Sequence, residues 1–196
     1  MKTLILLFFI STSVLALKPH TANYTLSVSD FEIAKVKIAL SETNGKYIYT
    51  LKAQTKGVIK LVKDYQISSK SIFTLSQFGL HSQHYQNFER DGDRVKQDID
   101  IHPKNHQVDP LNQTLFIANV LEKQPDKQDI YFLLNDGKSV TKKHYRQTHS
   151  SNDNLIKFLS EDEKTEVHFA RDKYYTPILI RNKKFVYQLN SIHFDE

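Results

Sequence analysis

The chain has 196 residues, 39% of them apolar and 25% charged, and 27 Lys and Arg residues against 22 Asp and Glu residues give a formal net charge of +5. This length and balance favour one compact domain, and they exclude a disordered tail, a collagen-like rod and a protein with several membrane spans. The absence of cysteine excludes disulfide scaffolds, thiolate zinc sites and thiol nucleophiles.

The first sixteen residues have the pattern of a cleaved secretory signal peptide. Lys2 provides a positive start, residues 4–10 form an unbroken apolar run, and Val14 and Ala16 stand at the positions that signal peptidase reads. The apolar run is far shorter than the roughly 20 residues of a membrane span. We therefore predict cleavage after Ala16, a single exported domain over residues 17–196 with no integral membrane span, and a periplasmic or secreted location in a bacterium.

Three turn dipeptides predict β-hairpins along the mature chain. Each dipeptide supplies the positive φ angles of a tight hairpin turn and is flanked by strand-like alternation of apolar residues. The dipeptides are Asn44-Gly45, Asp91-Gly92 and Asp136-Gly137. The predicted hairpins cover residues 34–55, 83–101 and 130–149, and further strands are predicted at 65–75, 155–159, 165–170, 178–181 and 185–192. Roughly ten strands at this spacing predict an antiparallel meander.

One segment departs from the strand pattern. Asp109 is a helix-capping residue, Pro110 suits the first helical position, and apolar residues three or four apart follow as far as Lys123. This pattern predicts one amphipathic helix over about Asp109 to Lys123, and its apolar face needs a partner. The predicted fold class is therefore mainly β: an antiparallel meander in a single domain, curled into an open or partial barrel, with the helix packed on or in it.

Two local histidine pairs are the candidates for a metal site: His81 with His84, and His102 with His106. A metal site needs three or four converging ligands. Strand residues three apart point to opposite faces, so the first pair converges only if residues 79–82 form a loop. The second pair lies in a polar loop, where exposure is the simpler interpretation. We therefore predict no metal ligand and no cofactor.

Catalytic motifs are absent from the sequence: it has no nucleophile elbow, phosphate loop or dinucleotide fingerprint. A hydrolase would need two or three of a scattered set of side chains to meet in a cleft, and nothing in the sequence brings them together. The set is His81, His84, Asp98, Asp100 and His144. We assign no catalytic or cofactor-binding residue, and a non-enzymatic role is favoured.

The basic stretch over residues 142–146 is the clearest charged feature. Strand alternation divides it between two faces, and loss of Lys2 with the signal peptide leaves a net charge of only +4. These features, together with export, predict no nucleic-acid partner. No pattern defines an oligomeric state.

Four stretches in the mature chain follow one another in a familiar order. They are residues 24–40, Gly79-Leu80 followed by Tyr85, Asp109-Pro110-Leu111, and Phe169-Ala170-Arg171-Asp172 leading to Tyr175-Thr176-Pro177-Ile178. Together they resemble an exported bacterial family, the domain of unknown function 3108 (DUF3108). The resemblance covers most of the mature chain and implies a secreted or periplasmic, β-rich single domain, and it supplies no catalytic residues.

Two functions remain open at this point, with a hydrolase as a third and weaker one. Ten Phe and ten Tyr in the mature chain can line an apolar groove that binds a lipid-like ligand or a cell-envelope component without catalysis. The alternative is a structural or protein-interaction module of the cell envelope with a fully packed core and an exposed patch. A cavity under the predicted helix distinguishes the first function from the second.

Overall fold

A computed structural model describes residues 17–57, 64–77, 79–104 and 106–195, so the predicted signal peptide lies outside the described residues. The described chain contains thirteen strands, one α-helix and a short 3-10 turn (Arg171–Lys173). The strands of the first half are β1 (His20–Val28), β2 (Phe31–Thr43), β3 (Lys46–Thr55), β4 (Tyr65–Ser76), β5 (Gly79–Asp91), β6 (Arg94–Ile101) and β7 (Gln107–Val108). The helix α1 (Gln113–Lys123) follows, and then β8 (Asp129–Asn135), β9 (Val140–Thr148), β10 (Leu155–Ser160), β11 (Thr165–Ala170), β12 (Thr176–Asn182) and β13 (Phe185–Phe194).

All thirteen strands belong to one open sheet in the order β6-β5-β4-β3-β2-β1-β13-β12-β11-β10-β9-β8-β7. Neighbouring strands are antiparallel except for the short β7, which runs parallel to β8. The two halves of the meander join where β1, at the start of the domain, pairs with β13 at its end. The prediction of a mainly β, curled and incompletely closed meander is confirmed.

The open seam of the sheet lies between β6 and β7, which are its two edges although they follow one another in the chain. Only residues 102–106 connect them, and such a connection spans at most about 20 Å. The sheet must therefore curl until its edges come near each other. At the seam, Ile99 and Ile101 of β6 face Gly137 in the β8–β9 loop, so side chains replace the missing strand pairing.

The first predicted hairpin is confirmed. Asn44 and Gly45 both have positive φ, at 53° and 75°, and β2 pairs with β3 without a break from Ala34–Thr55 to Thr43–Lys46. These angles match a primed two-residue turn. The later predicted hairpins also form, but β1 and the two-residue β7 are strands that the sequence pattern did not indicate.

The core consists of two apolar clusters that meet on the helix. Leu115 of α1 packs with inward residues of β1–β5, whereas Ile117, Ala118 and Leu121 pack with inward residues of β8–β11. Phe116 contacts both clusters. The helix therefore fills the concave side of the sheet and links its two halves, as its amphipathic pattern predicted. Along the described residues, no helix has the length and apolar character needed to cross a membrane.

The helix begins four residues later than predicted, at Gln113 rather than Asp109. The reason is a side-chain hydrogen-bond pattern: Asp109 Oδ1 accepts the backbone N–H groups of Leu111 and Asn112, at 2.9 and 3.0 Å. Asp109 thus closes a turn over residues 109–112 in place of the first helical turn. The helix proper starts with the hydrogen bond from Phe116 N to Asn112 O.

Gly137 supports the seam, and its substitution by alanine tests this role. Gly137 has a φ of 85°, and a Cβ atom built there would lie 2.9 Å from Ile99 Cγ2. Gly45 has a similar φ of 75°, but a Cβ atom built there would have no neighbouring atom within 4 Å. We expect Gly45→Ala to lower the free energy of unfolding by about 1 kcal/mol through backbone strain alone. Gly137→Ala should cost at least about 1 kcal/mol more because of the clash. Urea denaturation of both variants measures the difference, and equal losses would contradict the packing of the seam.

Candidate functional site

Two adjacent cavities lie inside the curled sheet, next to the turn over residues 109–112. Their volumes are about 350 Å³ and about 280 Å³. Both are lined by Leu51, Pro110, Leu111 and Tyr187, so the turn and these two side chains stand between them. The larger one is called the main cavity and the smaller one the seam cavity. Cavities of this size are suited to a small organic ligand or to part of a larger one.

The wall of the main cavity is largely aliphatic and aromatic. Its apolar members come from both halves of the sheet and from α1, and include Ile38, Leu51, Ile117, Leu134, Val167 and Ile180. Four tyrosines complete the wall: Tyr24, Tyr49, Tyr145 and Tyr187. Burial raises the pKa of each, that of Tyr145 to about 12, so these hydroxyls stay neutral near pH 7. The wall therefore offers apolar surface and neutral hydroxyls.

Polar side chains gather at one end of the main cavity, where strands β9 to β12 meet their turns. They are Lys143, Ser160, Asp162, Thr165 and Asn182. Ser160 Oγ donates to Asp162 Oδ1 at 2.7 Å, and Lys164 Nζ lies 3.4 Å from Asp162 Oδ2. Lys143 is half-buried, and its side chain makes no hydrogen bond or ion pair with any other described residue. Asp162 and Asn182 are exposed, so this end opens to solvent and is taken as the mouth of the cavity, with Lys143 as a cation that has no side-chain partner among the described residues.

The seam cavity is the more polar of the two. Gln97 and Ile99 of β6 and Asp136 and Lys138 of the β8–β9 loop line its two sides. Its floor carries a chain of hydrogen bonds: Ser69 Oγ donates to Asn87 Oδ1 at 2.7 Å, and Asn87 Nδ2 donates to Glu89 Oε1 at 3.1 Å. Polar side chains thus continue inward from the seam.

A buried polar cluster holds the turn between the cavities. Ser71 Oγ of β4 donates to Asp109 Oδ2 at 2.5 Å, and the backbone N–H of Asp109 donates to Ser82 Oγ of β5 at 3.1 Å. Asn112 Nδ2 lies 2.9 Å from Asp109 Oδ2 and 2.7 Å from Ser71 Oγ. All four residues are buried, and burial raises the pKa of the Asp109 carboxyl against the opposing effect of the Ser71 hydrogen bond. The cluster fixes the chain where it enters the interior.

In the structure, each histidine of one local pair contacts a histidine of the other pair. The ring of His84 stacks on that of His102 with centroids 4.4 Å apart, and the rings of His81 and His106 are 5.3 Å apart. Asp100 joins the first pair, since its Oδ1 lies 2.7 Å from His84 Nε2. Both pairs lie on the outer face of β5 at the sheet edge and not in either cavity.

The expectation that His81 and His84 point to opposite faces unless residues 79–82 form a loop is wrong. Residues 79–91 form one strand, but a β-bulge shifts its pairing with β4 between Ser82 and His84. The bulge adds one residue to β5, so the inward–outward alternation of its side chains shifts by one. His81 and His84 therefore both lie on the outer face of the sheet. Ser82 and Tyr85 point inward on either side of it.

The other sequence candidates lie apart from this cluster. His144 lies on the outer face of β9 beneath the ring of Tyr131, with Asp129 Oδ1 2.7 Å and Glu161 Oε2 3.5 Å away. Asp98 is exposed on β6. The proposed hydrolytic set therefore does not meet in a cleft, and only His84 and Asp100 among the five come into contact.

The basic stretch divides between two faces as predicted. Lys143 and Tyr145 line the main cavity, whereas Lys142 and Arg146 are exposed on the outer side. A second basic region, not noted in the sequence, is an open groove of about 740 Å³ on the outer face of β2–β5 that includes Lys35, Lys37 and Lys52. Lys37 stands directly opposite Lys52 across the strand pair. The lysines of this outer groove therefore lie apart from both interior cavities.

The open sheet with a helix in its concave side defines a β-barrel-like domain. A solved structure with a similar fold is the crystal structure of a beta-barrel-like protein of domain of unknown function DUF1849 from Brucella abortus. The TM-score is 0.56 at 8% sequence identity, and the match covers 92% of this chain and 99% of that chain. No family model matches this chain, and no curated protein matches it. At this identity the likeness establishes the fold alone.

The resemblance to DUF3108 is wrong. No family model supports it, and the structural neighbour carries a different family description. The stretches on which it was based are strand alternation, a glycine at a strand start, a capped turn before the helix and a turn before β12. Any curled meander with one helix can present such features in this order, so they indicated the fold and not the family.

Asp109 allows a test of the buried cluster by pH. A buried acid with a raised pKa holds its proton in the folded state at pH values where the unfolded chain has lost it, so its contribution to stability falls as pH rises. We expect the difference in unfolding free energy between wild type and Asp109→Asn to decrease as pH rises above about 4 and to level off beyond the folded-state pKa. Urea denaturation between pH 3.5 and 8 measures it, with exposed Asp98→Asn as the control. A difference that does not change with pH would contradict the raised pKa.

Proposed function

We propose that this domain binds an amphipathic, lipid-like molecule in its interior without catalysis. The observation that carries the proposal is the main cavity of about 350 Å³, which lies between the concave sheet and α1 and is lined mostly by aliphatic residues and neutral tyrosines. An apolar chain placed there would contact apolar surface that water otherwise covers, and this is the driving force for binding.

The distribution of polar groups supports an amphipathic rather than a purely apolar ligand. Polar side chains are concentrated at the mouth, where Lys143 offers an ammonium group without a partner among the described residues. Asp162 is already held by Ser160 and Lys164. The mouth therefore suits an anionic head group such as a carboxylate or a phosphate, with the apolar chain directed inward.

The setting we propose is a bacterial periplasm or the outside of the cell, with the first sixteen residues removed as a signal peptide. Leu17, the first residue after the predicted cleavage point, is buried in the apolar cluster of β1–β5. A chain cleaved there would therefore start with a residue that packs into the core. An exported carrier or sensor of envelope lipids is the role that this arrangement favours.

The packed interaction module remains the alternative, and the cavities count against it. That role requires a filled interior, whereas two adjacent cavities adjoin Leu51 and Leu111. Apolar side chains do lie exposed on the outer face of β8 and β9, among them Tyr131, Leu133 and Val140. They are the surface to examine if the interior takes up no ligand.

Filling the cavities from within tests the proposal. Leu51 lines both cavities, so Leu51→Trp should obstruct them and weaken the uptake of a fluorescent fatty acid by at least about tenfold, or 1.4 kcal/mol. The matched control is Leu133→Trp, the same substitution on the exposed face of β8, which should leave uptake unchanged. Fluorescence titration measures affinity, and thermal denaturation verifies that both variants are folded.

Native mass spectrometry of the wild-type protein complements the titration. A co-purified acyl or lipid species would support the proposal, and its loss in Leu51→Trp would locate it in the interior. Absence of uptake by wild type, or equal uptake by both tryptophan variants, would contradict interior binding.

Lys143 provides a test of head-group recognition. Lys143→Gln should weaken the binding of a fatty-acid carboxylate several-fold, because the ammonium group at the mouth is lost, and should leave the binding of the corresponding neutral methyl ester unchanged. Lys142→Gln is the control, since Lys142 lies on the outer side of the same strand over the ring of Tyr131. An equal loss for acid and ester would show that Lys143 acts through packing and not through charge.

A further inference from the structure

We infer that His84, Asp100 and His102 form a binding site for a divalent transition-metal ion of the zinc and copper class on the outer face of the β5–β6 hairpin. The ligand atoms of these three side chains all lie within 4.8 Å of one another. The site is separate from both interior cavities and from the proposed ligand. It goes beyond the proposed function and does not depend on it.

Strand pairing brings the three side chains together. Gln86 stands directly opposite Asp100 across β5 and β6, and Tyr85 stands opposite Ile101. Continuing this antiparallel register by one residue places His84 opposite His102, and their rings stack at 4.4 Å. The strand pair therefore brings the three side chains to the same side of the sheet, which reduces the entropy that metal binding would cost.

Hydrogen bonds prepare these side chains as ligands. His102 Nδ1 lies 3.1 Å from the carbonyl oxygen of Gln83, and since a carbonyl can only accept, Nδ1 carries the proton and Nε2 keeps its lone pair. Gln86 Nε2 donates to Asp100 Oδ2 at 2.8 Å, which orients the carboxylate. Asp100 Oδ1 accepts from His84 Nε2 at 2.7 Å, and a bound metal ion would take the place of that proton, which is released to solvent. Outer contacts of this kind are the usual support of metal ligands.

The ligand chemistry selects the class of metal. Two imidazole nitrogens and one carboxylate oxygen suit zinc, copper and nickel rather than calcium or magnesium, which prefer oxygen ligands alone. Tetrahedral zinc with bonds of 2.0–2.1 Å needs donor atoms about 3.3 Å apart. The donor atoms now lie within 4.8 Å of one another, and because His102 is exposed beyond the end of β6, a small movement of its ring would bring them to that spacing. Water would fill the open coordination position.

Titration of the untagged protein with zinc chloride tests the site, with isothermal calorimetry as the readout. We expect one ion per chain, and we expect His84→Gln and His102→Gln each to weaken affinity by at least about tenfold. His149→Gln is the matched control, because His149 is exposed and far along the chain in the loop after β9, and it should leave affinity unchanged.

Two measurements distinguish this site from other sources of binding. Copper(II) paramagnetic resonance should show two coordinated nitrogens in wild type and a single nitrogen in His84→Gln and in His102→Gln. His81→Gln should retain binding, because His81 pairs with His106 and not with Asp100. The inference is overturned if wild type shows no saturable binding, or if His81→Gln abolishes it while His84→Gln and His102→Gln do not.

Discussion

A sheet of thirteen strands that curls without closing leaves a concave interior that its own strands cannot fill. In this domain the filling comes from the segment that follows the seam, because the chain passes from edge strand β6 to edge strand β7 and then turns inward. The buried cluster around Asp109 fixes that turn to β4 and β5 through Ser71 and Ser82. This anchor sets the direction of α1. Leu115 can then pack in one apolar cluster and Ile117 in the other, so the two clusters meet at the helix. Loss of the cluster would leave several buried polar groups without partners, a costly outcome in an apolar interior.

One short helix does not occupy the whole interior, and this explains where the cavities lie. The helix has eleven residues, and its buried face packs on both halves of the sheet. The turn before it divides the remaining space into a main cavity with a tyrosine-rich wall and a seam cavity with a polar floor. The difference between the two cavities arises from the strands, since β4 and β5 contribute Ser69 and Asn87 to the seam cavity, whereas β11 and β12 contribute Val167 and Ile180 to the main cavity. Polarity inside the domain is thus set strand by strand.

Local sequence patterns predicted those parts of the fold that depend on local interactions. Asn44-Gly45 defines its hairpin because few other residues adopt two successive positive φ angles. The two strands that were missed depend on distant partners: β1 forms where the two ends of the domain meet, and the two residues of β7 are a strand only because β8 lies beside them.

The same dependence on distant partners explains why the candidate sites were not predicted. His84 and His102 are eighteen positions apart in the numbering and meet through the strand register and a bulge, neither of which a search for local pairs can detect. The helix was predicted, but the sequence left open whether it fills the interior or leaves a cavity. The polar mouth was not predicted, because Lys143 and Asp162 come from different strands and turns.

The low identity to the structural neighbour shows what this fold requires of a sequence. At 8% identity almost no side chain is shared, yet the two folds are similar over 92% of this chain. In this chain the fold depends on general requirements: inward apolar positions at every second residue, turns that permit positive φ, and a helix that fills the interior. None of these requirements fixes the residues at the cavity mouth or at the β5–β6 edge. Under the two proposals made here, the identity of a ligand depends on side chains such as Lys143 and His102, which the fold leaves free to vary, and it has to be established on this chain itself.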